Sequence, residues 1–507
     1  MRKKLIIIFT AIIIAGLIIG ANTLELQTLK EAISNWANKL TAANFLQQGE
    51  TYVQKRVENP NSVLELELAT VQWQKRYWHD AEIESREFWF HNGDLYWHDK
   101  ITFADGGKNL TYAIDYEGVN GTLTYYNEEM NKWIEEQELT EGKLPVADLF
   151  LTIGDKHIFL NQPFIYKDLG QGVVKSMNEL YREITVTKTA KGFQLEMGFV
   201  NKPGIWGEIW ALESDRPLLD LNYRDLRQKW ARYNYVKDSR WLMDGSYYKT
   251  PESYTPYAKN SYWKNPAAYL VGGFILTGGS RVADDLGYAQ LYIQAQNMEA
   301  PGYMKTLPQS NWLYEDYGIE AGFFDTRFNT DLGVLFIEAY KKYNEARFLD
   351  YALQYGNFFT NFANKHHHTV VNSEGEEGWL VQDYYHEKEN YRAVHTSLNH
   401  QLQEIRFLYK LGEITGDSGF TILGDKMLKG IEITCDSWIK EDNNLHYCYY
   451  ADGKFGGMDY PYLTYNDLFN LQEILEEAGK ERNLYLQKLM DAKKIYMNAN
   501  GITVYKK

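Results

Sequence analysis

The spacing of apolar side chains changes once along this chain, and that change bounds what it folds into. From about residue 61 to residue 230 they recur at every second position; after Trp263 they recur at every third and fourth. "VLELELA" (63–69) alternates strictly, and "EFWFHNGDLYWHD" (87–99) reads as a hairpin turning at Asn92-Gly93, a pair that accepts the positive φ angles of tight hairpins. Further turn signals at 105–107, 117–121 and 189–192 cut the region into short strands, the pattern of an antiparallel β sandwich or barrel. Beyond Trp263, "DLGVLFIEAYKKY" sets Leu332, Leu335, Phe336, Ala339 and Tyr340 on one helical face. The same spacing predicts helices over 266–278, 281–298, 326–345, 346–364, 395–415, 420–438, 464–479 and 481–497. Short joints such as "KLGEITGDSGF" (410–420) fold them into hairpins, the makings of an incomplete (α/α) toroid. The longer interruptions near 300–325, 366–394 and 440–463, and the stretch before 263, are where chemistry is expected.

The fold class expected is multidomain α+β. Arg2, Lys3 and Lys4 precede an uncharged run from Leu5 to Ala21, long enough as a helix (about 26 Å) for a hydrocarbon core. "IIGANT" is a poor cleavage site, so residues 1–23 are expected to be a membrane anchor, with a signal peptide as the alternative. The basic flank then stays in the cytoplasm and the body lies outside, at the cell membrane or secreted. Leu24, Leu29, Ile33, Trp36 and Leu40 share a helical face, which makes 24–60 a juxtamembrane helix. A β-rich domain over 61–235, a linker over 236–265 and the toroid over 266–507 complete the division.

A formal charge of −15 with no basic patch excludes nucleic acid as a partner. The 40 tyrosines and 14 tryptophans suit half-wet surfaces such as carbohydrate grooves. Cys435 and Cys448 are expected to be buried free thiols, since two cysteines make no disulfide scaffold. The three histidines of "NKHHHTV" (364–370) cannot all face one ion and are expected at a helix C-terminus, so no metal is expected.

Three segments carry a family resemblance: "GFFDTRFNTDLGVLFIEAYKKYNEARFLDYA" (322–352), "YHEKENYRAVHTSLNHQLQEIRFLYKLGEITGD" (385–417) and "DYPYLTYNDLFNL" (459–471). In this order they resemble the C-terminal helical domain of D-glucuronyl C5-epimerases, which invert glucuronate within heparan-type chains. The resemblance covers about residues 300–480 and implies an anchor, β domains and an incomplete toroid. It implies a catalytic role for Tyr460, through Asp459, Tyr460 and Asn466, and for Tyr447, with Tyr449 as its alternative. The family's arginine after the second tyrosine is missing; only Lys454 follows. Its acidic-tyrosine cluster before Leu398-Asn399 is altered, keeping Glu387 but carrying Lys388-Glu389 in place of Glu-Tyr; a two-residue slip offers Asn390-Tyr391.

Inverting C5 means removing a hydrogen α to a carboxylate and returning one from the opposite face. That needs a base, an acid, and cations or donors around the carboxylate, and no cofactor. Tyr460, Tyr447, Glu387, Glu389 and Tyr391 are the candidates for acid and base. Arg392 and Arg327 are candidates for the carboxylate clamp, or for local salt bridges. Trp312 and Tyr317 form a candidate sugar platform, and Asn399 and Asn466 complete the substrate-binding set. "TYND" (464–467) reads as a capping box, which starts a helix near Thr464 and sets Tyr460 ahead of its positive end. The expectation is an extracytoplasmic uronyl C5-epimerase-like enzyme acting on an acidic polysaccharide, with a homodimer left open. A polysaccharide lyase and a non-catalytic glycan binder are the alternatives.

Overall fold

The computed structural model describes residues 50–104, 107–181, 183–235 and 238–506. The expected anchor and residues 24–49 of the expected juxtamembrane helix lie outside them. The last part of that helix is instead a strand, Glu50–Val53, paired in parallel with Leu110–Glu117. Tyr52 is drawn into the sheet core, its ring 5.6 Å from those of Trp78 and Tyr112. Among the described residues no helix is long and apolar enough to cross a membrane.

Two sheets form the β part, one of five strands and one of fourteen. The middle of the large sheet is buried on both faces, and its alternation says why. In Ile205–Ser214, Ile209 and Ala211 enter the core shared with the five-stranded sheet, while Trp210 and Leu212 enter the core shared with the helices. In Leu95–Phe103, Trp97 and Ile101 face the first core and Tyr96 the second. The hairpin at Asn92-Gly93 forms as expected, with Gly93 at φ +94°.

The expected linker over 236–265 is not one. Ser239–Leu242, Gly245–Lys249 and Ser261–Lys264 extend the large sheet, because Trp241, Tyr247, Tyr262 and Trp263 bury their rings against it. Ten α-helices are described. The first, α1 (Arg224–Tyr235), falls where only strands were expected. The rest are α2 (Tyr269–Thr277), α3 (Arg281–Ala295), α4 (Asn311–Tyr317), α5 (Thr326–Tyr343), α6 (Ala346–Lys365), α7 (Leu398–Thr415), α8 (Ser418–Trp438), α9 (Leu463–Glu477) and α10 (Leu484–Ala499). All eight expected helices are present.

They pair as α2/α3, α5/α6, α7/α8 and α9/α10, and the first member of each pair touches the next: α2 to α5, α5 to α7, α7 to α9. This is an open arc of helical hairpins with an inner and an outer layer, the incomplete toroid expected. Inner helix α7 is buried on every face from Leu398 to Gly412, whereas α8 leaves one side to solvent.

Candidate active site

The site lies where the strands before α7 and α9 meet. Helix α7 begins three residues later than expected because Thr396–Ser397 pairs with His446–Tyr449, which pairs in turn with Phe455–Met458. His395 thus precedes the helix, and Tyr447 stands on the next strand. The rings of Tyr447 and Tyr460 meet edge to face at 5.9 Å.

Tyr460 is held by its backbone. Lys493 Nζ, fully buried, donates to Tyr460 O at 2.8 Å and to Asp459 Oδ2 at 2.5 Å. The expected capping box does not form. Thr464 Oγ1 donates to Asp459 instead, Asp467 accepts from Arg327, and α9 starts at Leu463 with no side-chain cap. A buried ion pair therefore fixes the turn, and the Tyr460 side chain remains 46% exposed.

His395 sits between two aromatic groups. Its ring lies 5.9 Å from Trp312 and 5.4 Å from Tyr317, and 5.8 Å from Tyr447 and 6.2 Å from Tyr450. Tyr317 Oη and His395 Nδ1 are hydrogen-bonded at 2.6 Å. His395 Nε2 lies 3.3 Å from Asp383 Oδ2, an ion-pair separation that makes no aligned hydrogen bond. Asp383 is fully buried and accepts from Ser397 N at 2.8 Å and from the Ser397 hydroxyl. Trp312 (36% exposed) and Tyr450 (37%) form the rim with Tyr460.

Electrostatics sort these groups. Burial raises the pKa of Tyr447 and of Tyr460, with the Asp383 charge adding to the first and Asp325 to the second, so both are neutral phenols near pH 7. Burial alone would raise Asp383 too, but the facing His400, His395 and Ser397 hold it below the usual carboxylate range. Burial pushes His400 down to about 4 against the pull of Asp383. Asp325 is pushed up to about 7, again by burial.

The other expected site residues are engaged in other contacts, although Arg392 N donates to Tyr317 O at 2.9 Å. Arg327 is engaged by Asp331 at 3.1 Å, Asp467 at 2.7 Å and Asn399 O at 3.0 Å. Arg392 is exposed and donates to Glu315 O. Glu387 pairs with Lys305 at 3.1 Å, and the bond from that ammonium holds its pKa low. Glu389 is exposed at φ +49°, with Tyr385 Oη 3.4 Å away. Tyr391 packs in a small cluster with Tyr317 and Tyr384. Among the described contacts none of these three touches Tyr447 or Tyr460. Asn399 is buried with Oδ1 unpartnered, and Asn466 Oδ1 accepts from Lys506 N. Tyr449, the alternative to Tyr447, packs on Phe455 and His368.

The sequence reading missed His395, which it placed inside a helix, and Asp383, which falls in the interruption near 366–394 but was not singled out. Of the three adjacent histidines, His366 is the C-cap of α6, His367 stacks on Trp379 at 3.8 Å, and His368 bonds Val394 O at 2.8 Å. Among the described residues no group of three or more His, Cys, Asp or Glu is placed to hold a metal ion. Cys435 and Cys448 are free and buried, as expected.

No family model matches the chain, and no curated protein sequence matches it. Solved structures similar to it include a D-mannose isomerase, at 12% identity over 46% of this chain and 61% of that one, TM-score 0.33. Another is a glycoside hydrolase family 76 mannosidase from Bacteroides thetaiotaomicron, at 13% identity over 54% and 71%, TM-score 0.37. A third is the cellobiose 2-epimerase of Bacillus thermoamylovorans, at 12% identity over 54% and 69%, TM-score 0.37. The chain spans about three fifths of the length of the mannose isomerase.

Proposed function

We propose that the protein is a carbohydrate-modifying enzyme of the uronyl C5-epimerase kind, acting on polymer-bound uronate outside the cytoplasm. One observation carries this reading: neutral phenols at Tyr447 and Tyr460 flank a Tyr317–His395–Asp383 relay on a partly open, aromatic-rimmed surface. In the tautomer with its proton on Nε2, His395 leaves Nδ1 to accept from Tyr317. The Tyr317 oxygen takes the C5 hydrogen as its own proton passes to His395, and Asp383 stabilises the imidazolium. The C–H electron pair moves into the sugar carboxylate as an enolate-like dianion. Tyr460, with Tyr447 beside it, returns a proton to the other face of C5; its phenolate is reprotonated from solvent, and the His395 imidazolium releases its proton to solvent through Tyr317. Arg327, closed by two carboxylates, is not assigned the clamp. The net charge of −15 favours a weakly charged glycan over a highly sulfated one.

The test is incubation with glucuronate-containing polymers in deuterated water. Deuterium at C5 without chain cleavage is the expected result. Rising ultraviolet absorbance from an unsaturated product would make the protein a lyase, and no exchange on any polymer would leave a glycan binder.

A further inference from the structure

Inversion runs in both directions, and whichever oxygen returns a hydrogen to C5 in one must take it in the other. Tyr317 has an imidazole behind it to hold its proton. Tyr460, on the opposite face, needs a matching store. Asp325 is a carboxyl that the proposed chemistry leaves unused. It is 5% exposed and pairs across two short strands with Tyr384, whose ring lies 5.7 Å from that of His395. The next residue, Thr326, donates its N–H to Asp383 O at 3.0 Å. Arg327 then reaches Asp467 of α9 at 2.7 Å and Asn399 O of α7 at 3.0 Å. Asp325 therefore stands where the starts of α5, α7 and α9 converge, and Tyr460 lies three residues ahead of α9.

The surroundings suit a group that holds a proton. Asp325 Oδ1 caps α5 by accepting from Phe328 N at 3.0 Å, and the Arg327 amide faces the carboxyl as well. Among the described residues no cation pairs with it, since its neighbour Arg327 is taken by Asp331 and Asp467. Burial raises its pKa most, the like charges of Asp383 and Asp331 add to this, and it settles at about 7. From α7, His400 and Glu404 face the same space, and burial keeps both neutral near pH 7. The other titratable neighbours are the phenols of Tyr254, Tyr269, Tyr355, Tyr384, Tyr447 and Tyr460, which burial first and the Asp325 charge after it keep protonated. Of the charges about Tyr460, Asp325 weighs most, ahead of Arg327 and of the adjacent Asp459. Tyr254, on a strand paired with Gln309–Ser310 just before α4, meets the influence of Asp325 first and of Tyr460 second. These three share one corner of the site.

We infer that Asp325 is a positioning residue for Tyr460, its carboxyl holding the proton that recharges the phenolate once Tyr460 has given its own to C5. This rests on the epimerase reading above. The O–H bond of the carboxyl breaks as that of the phenol re-forms, and the carboxylate left behind regains a proton from solvent. In the opposite direction the carboxylate takes the phenol's proton while the Tyr460 oxygen takes the hydrogen from C5. No electron leaves or enters the site. The transfer to the phenolate is downhill, because a phenol of raised pKa binds a proton more tightly than a carboxyl does. Each face of C5 then meets the same device, a phenol backed by an imidazole on one side and by a carboxyl on the other.

The test measures inversion and deuterium exchange at C5 by the full chain, on the glucuronate-containing polymer that supports exchange. Asparagine and serine cap a helix about as well as aspartate, so Asp325→Asn and Asp325→Ser should leave Tm unchanged or raised. Both should lower inversion at least tenfold. In the unaltered protein, inversion with Tyr460 as the acid should fall as pH rises through about 7, and Asp325→Asn should abolish that fall. Exchange with retention, in the epimer that Tyr317 deprotonates, should persist in both variants because it does not call on Tyr460. If both variants keep the rate and pH profile of the unaltered protein, Asp325 is a helix cap alone and this inference is overturned while the epimerase reading stands. Loss of retained exchange together with a fall in Tm would overturn it as well, since Asp325 would then be structural. If the unaltered protein exchanges on no polymer, the epimerase reading falls and this inference with it.

Discussion

Two polar clusters serve the inner helices α5, α7 and α9, and they are built on opposite plans. In one, Arg327 is shared between Asp331 and Asp467, and Lys493 closes on Asp459; each charge meets a partner, and the Lys493 ammonium is fully buried. In the other, Asp383 faces two histidines, His395 faces a phenol, and the phenols at the edge end in solvent. A closed ion pair is costly to break and has nothing left to offer a substrate. A relay ending at a half-buried phenol, with the exposed ring of Tyr460 at its rim, has spare capacity where a ligand would sit. The difference explains why Arg327, a reasonable clamp by residue type, is a poor one by position.

The largest expected effect lies in the open cluster. His395→Gln should lower hydrogen exchange at C5 by about 10²–10⁴-fold, the usual worth of a general acid–base group, while unfolding by denaturant shifts far less than in the closed cluster. Equal losses of activity and stability would mean that the open cluster is structural too, and the contrast would collapse. In the closed cluster, Lys493→Met leaves Asp459 buried without its partner. Stability should fall by about 3–5 kcal/mol, and Lys493→Met with Asp459→Leu should recover most of it. A loss under about 1 kcal/mol would show water reaching the pair.

Intermediate between the two plans is the junction of sheet and helices. Asp94, beside the Asn92-Gly93 turn, accepts from Arg281, and Asp285 of α3 accepts from Asn92 Nδ2 at 3.0 Å. Burial first, and Asp94 second, raise Asp285 to about 9. The free carboxyl titrates near 4, so across that window the folded chain holds a proton that the unfolded chain has lost. Stability therefore falls as pH rises from about 4 towards about 9. Asp285→Asn should remove this slope, gaining about 1–3 kcal/mol at pH 8 relative to pH 5. Chemical denaturation at the two pH values measures it, and an unchanged slope would place the proton elsewhere.

What was legible in the sequence follows the same division. The eight helices were readable because all but α2 are long and each buries one stripe or its whole surface, which leaves a strong period. Glu50–Val53 and the strands over 239–264 were not, being five residues or shorter and set by what they pack on. At the site, the contact of Tyr447 with Tyr460 joins a strand to the turn before α9, which local pattern could only suggest. His395 and Asp383 were hidden for a physical reason. A histidine at the edge of a helical period looks like part of the helix, and only the pairing of Thr396–Ser397 with Tyr449 and Cys448 takes it out. The "TYND" signal misled because both side chains found stronger partners, Asp459 and Arg327, across the fold.

The smallest effect concerns the loop where the family resemblance and the structure diverge most. Glu387 has a side chain 55% exposed, an ion pair to Lys305 at 3.1 Å and a bond from Tyr303 Oη at 3.2 Å. An exposed pair of this kind contributes about 0–1 kcal/mol. Glu387 makes no described contact with Tyr317, Tyr447 or Tyr460, so Glu387→Gln should change C5 exchange less than about threefold, within the same 0–1 kcal/mol when converted to a rate. Glu389→Gln should do no more. A loss of a hundredfold or greater from either would mean that substrate draws this loop onto the tyrosines. The base would then be a carboxylate, and the Tyr317–His395 relay would become a scaffold for it.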